Sequence, residues 1–339
     1  MQVSTLYASR QLIFGIYPGG DAGSDSGLVS GPPGDPLQIE RCLSELQGNS
    51  RPFVVRAYER FSDRANPSRW PAQTPRNYPR YVHGGRLLDL VVMYQSLAGD
   101  VAGFVTFACE LALRHASLLY SIQITEEASF TGGPDSIDGG YPRVREALVQ
   151  GVLAVKSALL QAGHPNVRVG FNSTPTFGPG AAFWADLGQL GGPEFLKALD
   201  YVGLDFFPDV FRPAAPDGEP GDLRDSVRLV LETMRNDWLP AAGIGPDIPI
   251  DVAEHGWPTG PARSPERQAQ VLETVVQAVW EMRERLNIAR YTHFALRDAD
   301  SSTPEVTDDI FHHFGITYED YSPKPAYGVF RRLIGELGH

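Results

Sequence analysis

Short apolar runs rich in Val, Ile, Phe and Tyr alternate along the chain with longer stretches of helical period, the pattern of repeated strand–helix units that build a parallel sheet. Eight strands are predicted, at 12–18 (LIFGIYP), 53–59 (FVVRAYE), 87–94 (LLDLVVMY), 118–125 (LLYSIQIT), 167–173 (VRVGFNS), 201–207 (YVGLDFF), 248–254 (IPIDVAE) and 291–297 (YTHFALR). Helical stretches fill the gaps at 36–47, 100–115, 142–162, 181–199, 222–236, 265–285 and 324–337. The stretch SPERQAQ carries a start signal, with Ser264 at an N-cap, Pro265 at the first helical position and Glu266 in the first turn. No Pro/Ser/Gly linker divides the units, so the expectation is one (β/α)8 TIM barrel forming a single domain over 1–339. An open doubly wound sheet would place a phosphate loop after an early strand; YPGGDAGSDSG at 17–27 is glycine-rich but lacks the spacing of either phosphate-binding motif.

In such barrels chemistry sits at the C-terminal ends of the strands. The polar residues expected there are Arg56 after strand two, Glu126 and Glu127 after strand four, Asn172 in strand five, Asp205 in strand six, Glu254 after strand seven, and Arg297 and Asp298 after strand eight. Carboxylates on strands four and seven face each other across the mouth. Cleavage of a glycosidic bond needs such a pair, one to protonate the leaving oxygen and one to meet the positive charge that develops at the anomeric carbon.

The residues IDVAEHGWPT resemble the strand-seven nucleophile motif of retaining glycoside hydrolases of clan A, where a Glu ends the strand and Gly-Trp-Pro often follows, as in glycoside hydrolase family 17. YSIQITEEASF is similar to the strand-four motif of that clan, an apolar strand ending in Asn-Glu, and FGITYEDYSPKPAYGVFRRL to the closing segment of its barrels. The resemblance implies Glu254 as nucleophile and Glu127 as acid/base, with Glu126 standing where the clan has the Asn that contacts the sugar 2-hydroxyl, an alternative acid/base or 2-hydroxyl contact. It also implies that Arg56 steers the nucleophile; an inward Arg that merely neutralises buried acids is the other reading.

Strand parity gives a separate expectation. Leu118, Tyr120, Ile122 and Ile124 form the apolar, helix-facing set, so Ser121, Gln123, Thr125 and Glu127 point inward and Glu126 sideways or out; a bulge at the strand end would reverse this. Asn172 and Asp205 are placed to contact sugar hydroxyls or the catalytic acids, or to be satisfied structural polar groups. Tyr17, Tyr58, Trp70, Phe206, Phe207 and Trp257 lie on strand ends or loops where a ring can stack on a pyranose, and Phe294 is the aromatic nearest to where strand eight lacks the clan's Trp.

Composition trims the alternatives. Only Lys156, Lys197 and Lys324 are lysines and none lies on a predicted strand, which excludes Schiff-base chemistry. The net charge of -12 offers no basic surface to nucleic acid or membrane, and the acidic loop DADSSTPEVTDD disfavours an anionic substrate. Cys42 and Cys109 read as free thiols on helices. His255, His312 and His313 have no metal-ligand spacing, so no metal and no cofactor is expected. With no signal-like or membrane-length apolar run, a cytoplasmic protein is expected. Long loops at 59–85, 128–141, 208–221 and 298–322 suit a walled pocket, hence exo action on a small β-glycoside or oligosaccharide. The competing class is a non-catalytic sugar-binding barrel, since Glu126 departs from the motif and fold alone does not fix function.

Overall fold

A computed structural model of the chain describes residues 11–24, 27–63, 72–132, 137–211, 222–301 and 309–339. Eight parallel strands close into a barrel: β1 (Ile13–Ile16), β2 (Phe53–Ser62), β3 (Arg86–Gln95), β4 (Leu119–Ile124), β5 (Arg168–Ser173), β6 (Tyr201–Asp205), β7 (Ile250–His255) and β8 (Ile288–His293). Each pairs with its neighbours in sequence order, and β1 pairs with both β8 and β2, which completes the ring. Around it run α1 (Pro36–Gln47), α2 (Val101–His115), α3 (Val144–Gln161), α4 (Ala182–Ala198), α5 (Leu223–Thr233), α6 (Pro265–Met282) and α7 (Pro325–Leu337). No α-helix links β2 to β3 in the described residues; β2 instead runs past its expected end and pairs antiparallel with Gln73–Thr74. Trp70 and parts of all four long loops lie outside the described residues. Among those described, no helix is long and apolar enough to cross a membrane.

The helices start where local chemistry satisfies their free N–H groups. Asp35 caps α1 through Leu37 N and Gln38 N, Asp100 caps α2 through Gly103 N, and Ser264 caps α6 through Arg267 N, with Pro265 in the first turn. Cys42 and Cys109 are free, on α1 and α2. The main core lies between sheet and helices, where outward side chains such as Val55, Leu90, Ile122, Phe171, Leu204 and Val252 meet the helices' apolar faces.

Strand eight differs from expectation, running over Ile288–His293 and not 291–297. Asn287, at a φ of 51°, turns the chain out of the preceding loop, and Arg290 then pairs with Asp251 of β7. Arg297 and Asp298 therefore sit beyond the strand and serve structure. Arg297 donates to Pro32 O at 2.7 Å, and Asp298 accepts from Lys324 Nζ at 2.7 Å and Gly315 N at 2.9 Å.

The barrel interior is filled largely by a ladder of charge. From the bottom, Arg168 pairs with Asp251 (2.8 Å), Asp251 with Arg290 (3.2 Å), Arg290 with Asp89 (3.0 Å), and Asp89 with Arg56 (2.6 Å). Arg56, Asp89, Arg290 and Asp251 are fully buried. Buried charges persist only when paired and hydrogen-bonded. Burial by itself would raise the Asp89 pKa, but Arg290, Arg56 and the Ser121 hydroxyl outweigh it and hold the carboxyl at about 2. A folded pKa below the unfolded one gives stability that is complete above pH ~4 and is lost as pH falls through about 2. Asp89→Ala leaves two buried guanidinium groups without their shared anion and is expected to cost about 3–5 kcal/mol in urea unfolding at pH 7. A cost below ~1 kcal/mol, the level of an exposed pair, would contradict the ladder's role.

Candidate active site

At the top of the ladder, on β2, alternation puts Arg56 and Tyr58 on the same inward face two residues apart. Arg56 is not at the strand's end, as expected, but inside it, because β2 extends to Ser62. Its Nε donates to Tyr58 Oη (2.8 Å) and Glu254 Oε1 (3.2 Å), its Nη1 to Asp89 Oδ2 (2.6 Å), and both terminal nitrogens to Gln123 Oε1 (3.1 Å each). Tyr58 in turn donates a short hydrogen bond to Glu254 Oε1. The Glu254 carboxylate is thus held at one oxygen by a guanidinium and a phenol. Burial, with the nearby Glu254 and Glu126 charges, pushes the Tyr58 hydroxyl well above its usual pKa despite Arg56, so the phenol stays a donor.

Glu254 reaches the interior through a β-bulge. Ile250 and Val252, of the same parity, face the helices. Between Val252 and Glu254, β7 has one more residue than β6, where Leu204 and Asp205 are the consecutive partners, and a matching irregularity appears against β8. The extra residue, Ala253, shifts the phase, so Glu254 joins Asp251 inside. Two glycines make room. A Cβ on Gly203 would lie 2.9 Å from Asn172 Cβ and 3.1 Å from Ala253 Cβ, and one on Gly256 would lie 2.0 Å from Phe294 O.

The turn after β4 corrects the parity expectation for Glu126. Ser121 and Gln123 do point inward, but Thr125 and Glu127 adopt positive φ (67° and 47°), which turns the chain so that Glu126 also enters the site. Such non-glycine conformations cost about 1–3 kcal/mol each and need compensation from their surroundings. The Glu126 carboxylate accepts from Gln123 Nε2 (2.6 Å) and Asn172 Nδ2 (3.2 Å), and lies 3.5 Å from Arg56 Nη2. Glu127 is half-buried, and its N–H donates to Asn172 Oδ1 (2.8 Å). Asn172 also donates to Asp205 Oδ2. The Asn172 amide is therefore committed to the acids and their turn.

Glu126, Glu127 and Asp205 each place an oxygen within 4.8 Å of the others, with Glu254 beside Asp205 across the β6–β7 pairing. Burial first, then the charges of the neighbouring acids, raises the pKa of all three well above the carboxylate range; Arg56 opposes this in each. Three hard oxygens at this spacing are donors that could also hold a divalent cation. Gln123, Asn172 and Arg56 already direct N–H groups at Glu126, however.

The aromatic residues divide. Tyr17 stacks on Phe294 (centroids 5.1 Å apart, 11° between planes) and meets Tyr58 edge-on at 5.3 Å, so Tyr17, Tyr58 and Phe294 wall the Glu254 side of the site. Phe207 touches Phe294 and Phe314 edge-on. Phe206 turns instead into the helix-facing core. Trp257 is also buried in that core, with Arg263 over its ring at 4.7 Å, and so does not present an open face. His255 packs outward against Tyr291, and burial holds its pKa at about 3, so it stays neutral. Parity would have put Asp89 and Gln123 on the inner face beside Arg56; Asp138, discussed below, gave no such signal.

No protein-family profile and no curated protein sequence matches the chain. Solved structures do match its fold. A β-glycosidase from the hyperthermophile Thermosphaera aggregans is 15% identical with a TM-score of 0.55, over 77% of this chain and 70% of its own. A β-glucuronidase from Ruminococcus gnavus is 14% identical with a TM-score of 0.59, over 95% of this chain and 49% of its own. A family 39 glycoside hydrolase from Bacteroides cellulosilyticus is 14% identical with a TM-score of 0.58, over 97% of this chain and 64% of its own. The chain thus spans about half to two thirds of the length of most of these proteins. At such identities the likeness shows the fold: a (β/α)8 barrel shared with glycoside hydrolases. The finer likeness to family 17 rests on the strand-seven residues alone.

An acid whose pKa is raised on folding gives stability that is complete below its unfolded pKa and is lost as pH rises through the folded one. Asp205→Asn removes one such group while leaving an oxygen to accept from Asn172. It is expected to raise the melting temperature at pH 8 by a few degrees relative to the parent, with the gain vanishing near pH 4, as scanning calorimetry at the two values would show. An equal shift at both pH values would mean that Asp205 is not part of a proton-sharing cluster.

Proposed function

We propose that the chain is a retaining glycoside hydrolase acting by double displacement, with Glu254 as nucleophile and Glu127 as acid/base. The observation that carries this reading is the unequal treatment of two acids at one mouth. Glu254 has Arg56 and Tyr58 donating to a single oxygen, which fixes the orientation of its carboxyl group. Glu127, the most exposed member of the acid cluster, lies where burial and neighbouring charge favour the proton.

In the first step a Glu254 oxygen bonds to the anomeric carbon, the bond from that carbon to the leaving oxygen breaks, and that oxygen takes the Glu127 proton. In the second, Glu127 accepts a proton from water, the water oxygen bonds to the anomeric carbon, and the Glu254 carboxylate is released. Glu126 is less suited to the acid's role because it is buried and its Oε2 is already bound by Gln123 and Asn172, whereas Glu127 is half-buried; with Asn172 and Asp205 it is placed to meet a sugar hydroxyl. Tyr17, Tyr58 and Phe294 supply apolar surface beside the sugar ring. The long loops support exo action on a small β-glycoside. The β-glycosidase and β-glucuronidase among the structural neighbours agree with a carbohydrate substrate.

A panel of aryl β-glycosides tests the reading. Glu254→Ala should lose nearly all turnover and be partly rescued by azide, giving an inverted glycosyl azide, whereas the parent's first-formed sugar, followed by proton NMR, should retain its anomeric configuration. Glu127→Ala should lose about 10²–10⁴-fold in kcat on poor leaving groups. EDTA should leave turnover unchanged. Binding of sugars with no hydrolysis across the panel would instead favour a non-catalytic barrel, and inverted product would reject the two-step mechanism.

A further inference from the structure

The Glu126–Glu127 turn has two residues at positive φ, and its backbone polar groups are held by specific partners. Thr125 N donates to Val92 O (2.9 Å), Glu127 N to Asn172 Oδ1 (2.8 Å), and Phe130 N to Glu127 O (3.0 Å). The remaining residue, Glu126, is held at both ends of its peptide groups by Asp138. Asp138 N donates to Glu126 O (2.8 Å), and Asp138 Oδ2 accepts from Glu126 N (2.7 Å). The same Oδ2 accepts from Tyr94 N at the end of β3 (2.7 Å), so one fully buried side chain ties the turn to the barrel wall.

We propose that Asp138 is a positioning residue that locks the turn bearing Glu126 and Glu127, and thereby aims the general acid at the leaving oxygen. The inference rests on the glycosidase reading above. Asp138 touches neither a sugar nor a reacting atom in that reading; it acts through the backbone of Glu126. What the geometry requires of it is an acceptor oxygen between two amides, not a charge. Burial agrees with this, pushing the Asp138 carboxyl up to about 8 in spite of the two amides and the nearby Arg60, so it is largely a neutral acid at pH 7. The other acids near Asp138 are Glu126 and Glu127 themselves. A neutral acid has a close isostere in asparagine, whose amide oxygen accepts the same two N–H groups.

Leaving-group dependence separates a positioning role from a purely structural one. When a general acid is misplaced, glycosides with a poor leaving group suffer and those whose aglycone departs unprotonated do not. Asp138→Ala should therefore lower kcat/KM, which reads the first, acid-assisted step alone, by about 10²-fold on phenyl β-glycosides but by less than ~3-fold on dinitrophenyl β-glycosides. Asp138→Asn should keep the parent's ratio between the two substrates to within ~3-fold. An equal loss on both substrates, or no loss on either, overturns the proposal. Should Asp138→Ala not fold, the asparagine variant decides alone: a changed ratio overturns the proposal, and an unchanged one supports the acceptor role.

Hydrogen exchange by mass spectrometry over 120–130 reads the same lock without substrate. Faster exchange in Asp138→Ala and parent-like protection in Asp138→Asn are expected, and parent-like protection in both overturns the lock. If the parent cleaves no glycoside, the catalytic reading fails while this measurement still judges the lock.

Discussion

The structure is organised around the side chain of Arg56. A guanidinium with no solvent contact must find hydrogen-bond acceptors for its N–H groups inside the protein, and the cost of failing is several kcal/mol. Asp89 on β3, Gln123 on β4 and Glu254 on β7 all turn toward it, as does Tyr58 on its own strand. Strands from opposite sides of the barrel are thereby cross-linked through its centre. Asp89 passes the constraint downward to Arg290 and Asp251, so the barrel's mouth and its floor belong to one alternating array of charge. Such an array is stiff: no member can move without stranding its neighbour.

That stiffness lets the mouth hold more acid than the Arg56 guanidinium can neutralise. Glu126, Glu127, Asp205 and Glu254 crowd around Arg56, and repulsion in a poorly hydrated space sorts them by environment. Burial and mutual repulsion raise the pKa values of Glu126, Glu127 and Asp205, while Arg56 and Tyr58 hold the Glu254 carboxyl in place.

Most of the architecture was legible in the sequence because burial has a period. The wall strands and the seven helices follow from alternation and helical spacing, and the outward set Ile122, Ile124 of β4 meets the helices as parity requires. Legibility failed where backbone conformation breaks the period. The inward turn of Glu126 depends on positive φ at Thr125, a residue type that gives no warning of it. Glu254 was found by its Gly-Trp-Pro context, while its own parity pointed outward. Strand eight began three residues before its expected start, because Ile288 and Arg290 alternate too briefly to stand out. Trp257 and Phe206 illustrate a different limit, since an aromatic ring at a strand end serves packing and stacking equally well and only coordinates decide. Asp138 was invisible for a related reason: an aspartate in a Gly-rich loop looks like any turn residue until its two amide partners are seen.

The extra residue at Ala253 separates two jobs that a regular strand would force together. Below it, β7 is read by the surrounding helices, and its side chains answer to packing; above it, the strand is read by the pocket, and its side chains answer to chemistry. Because the phase slips between them, repacking Ile250 or Val252 against the helices does not rotate Glu254. The Glu254 carboxyl can thus stay fixed while the shell that carries it drifts in sequence, which is one physical route by which a barrel can hold a mouth residue in place as its packing changes.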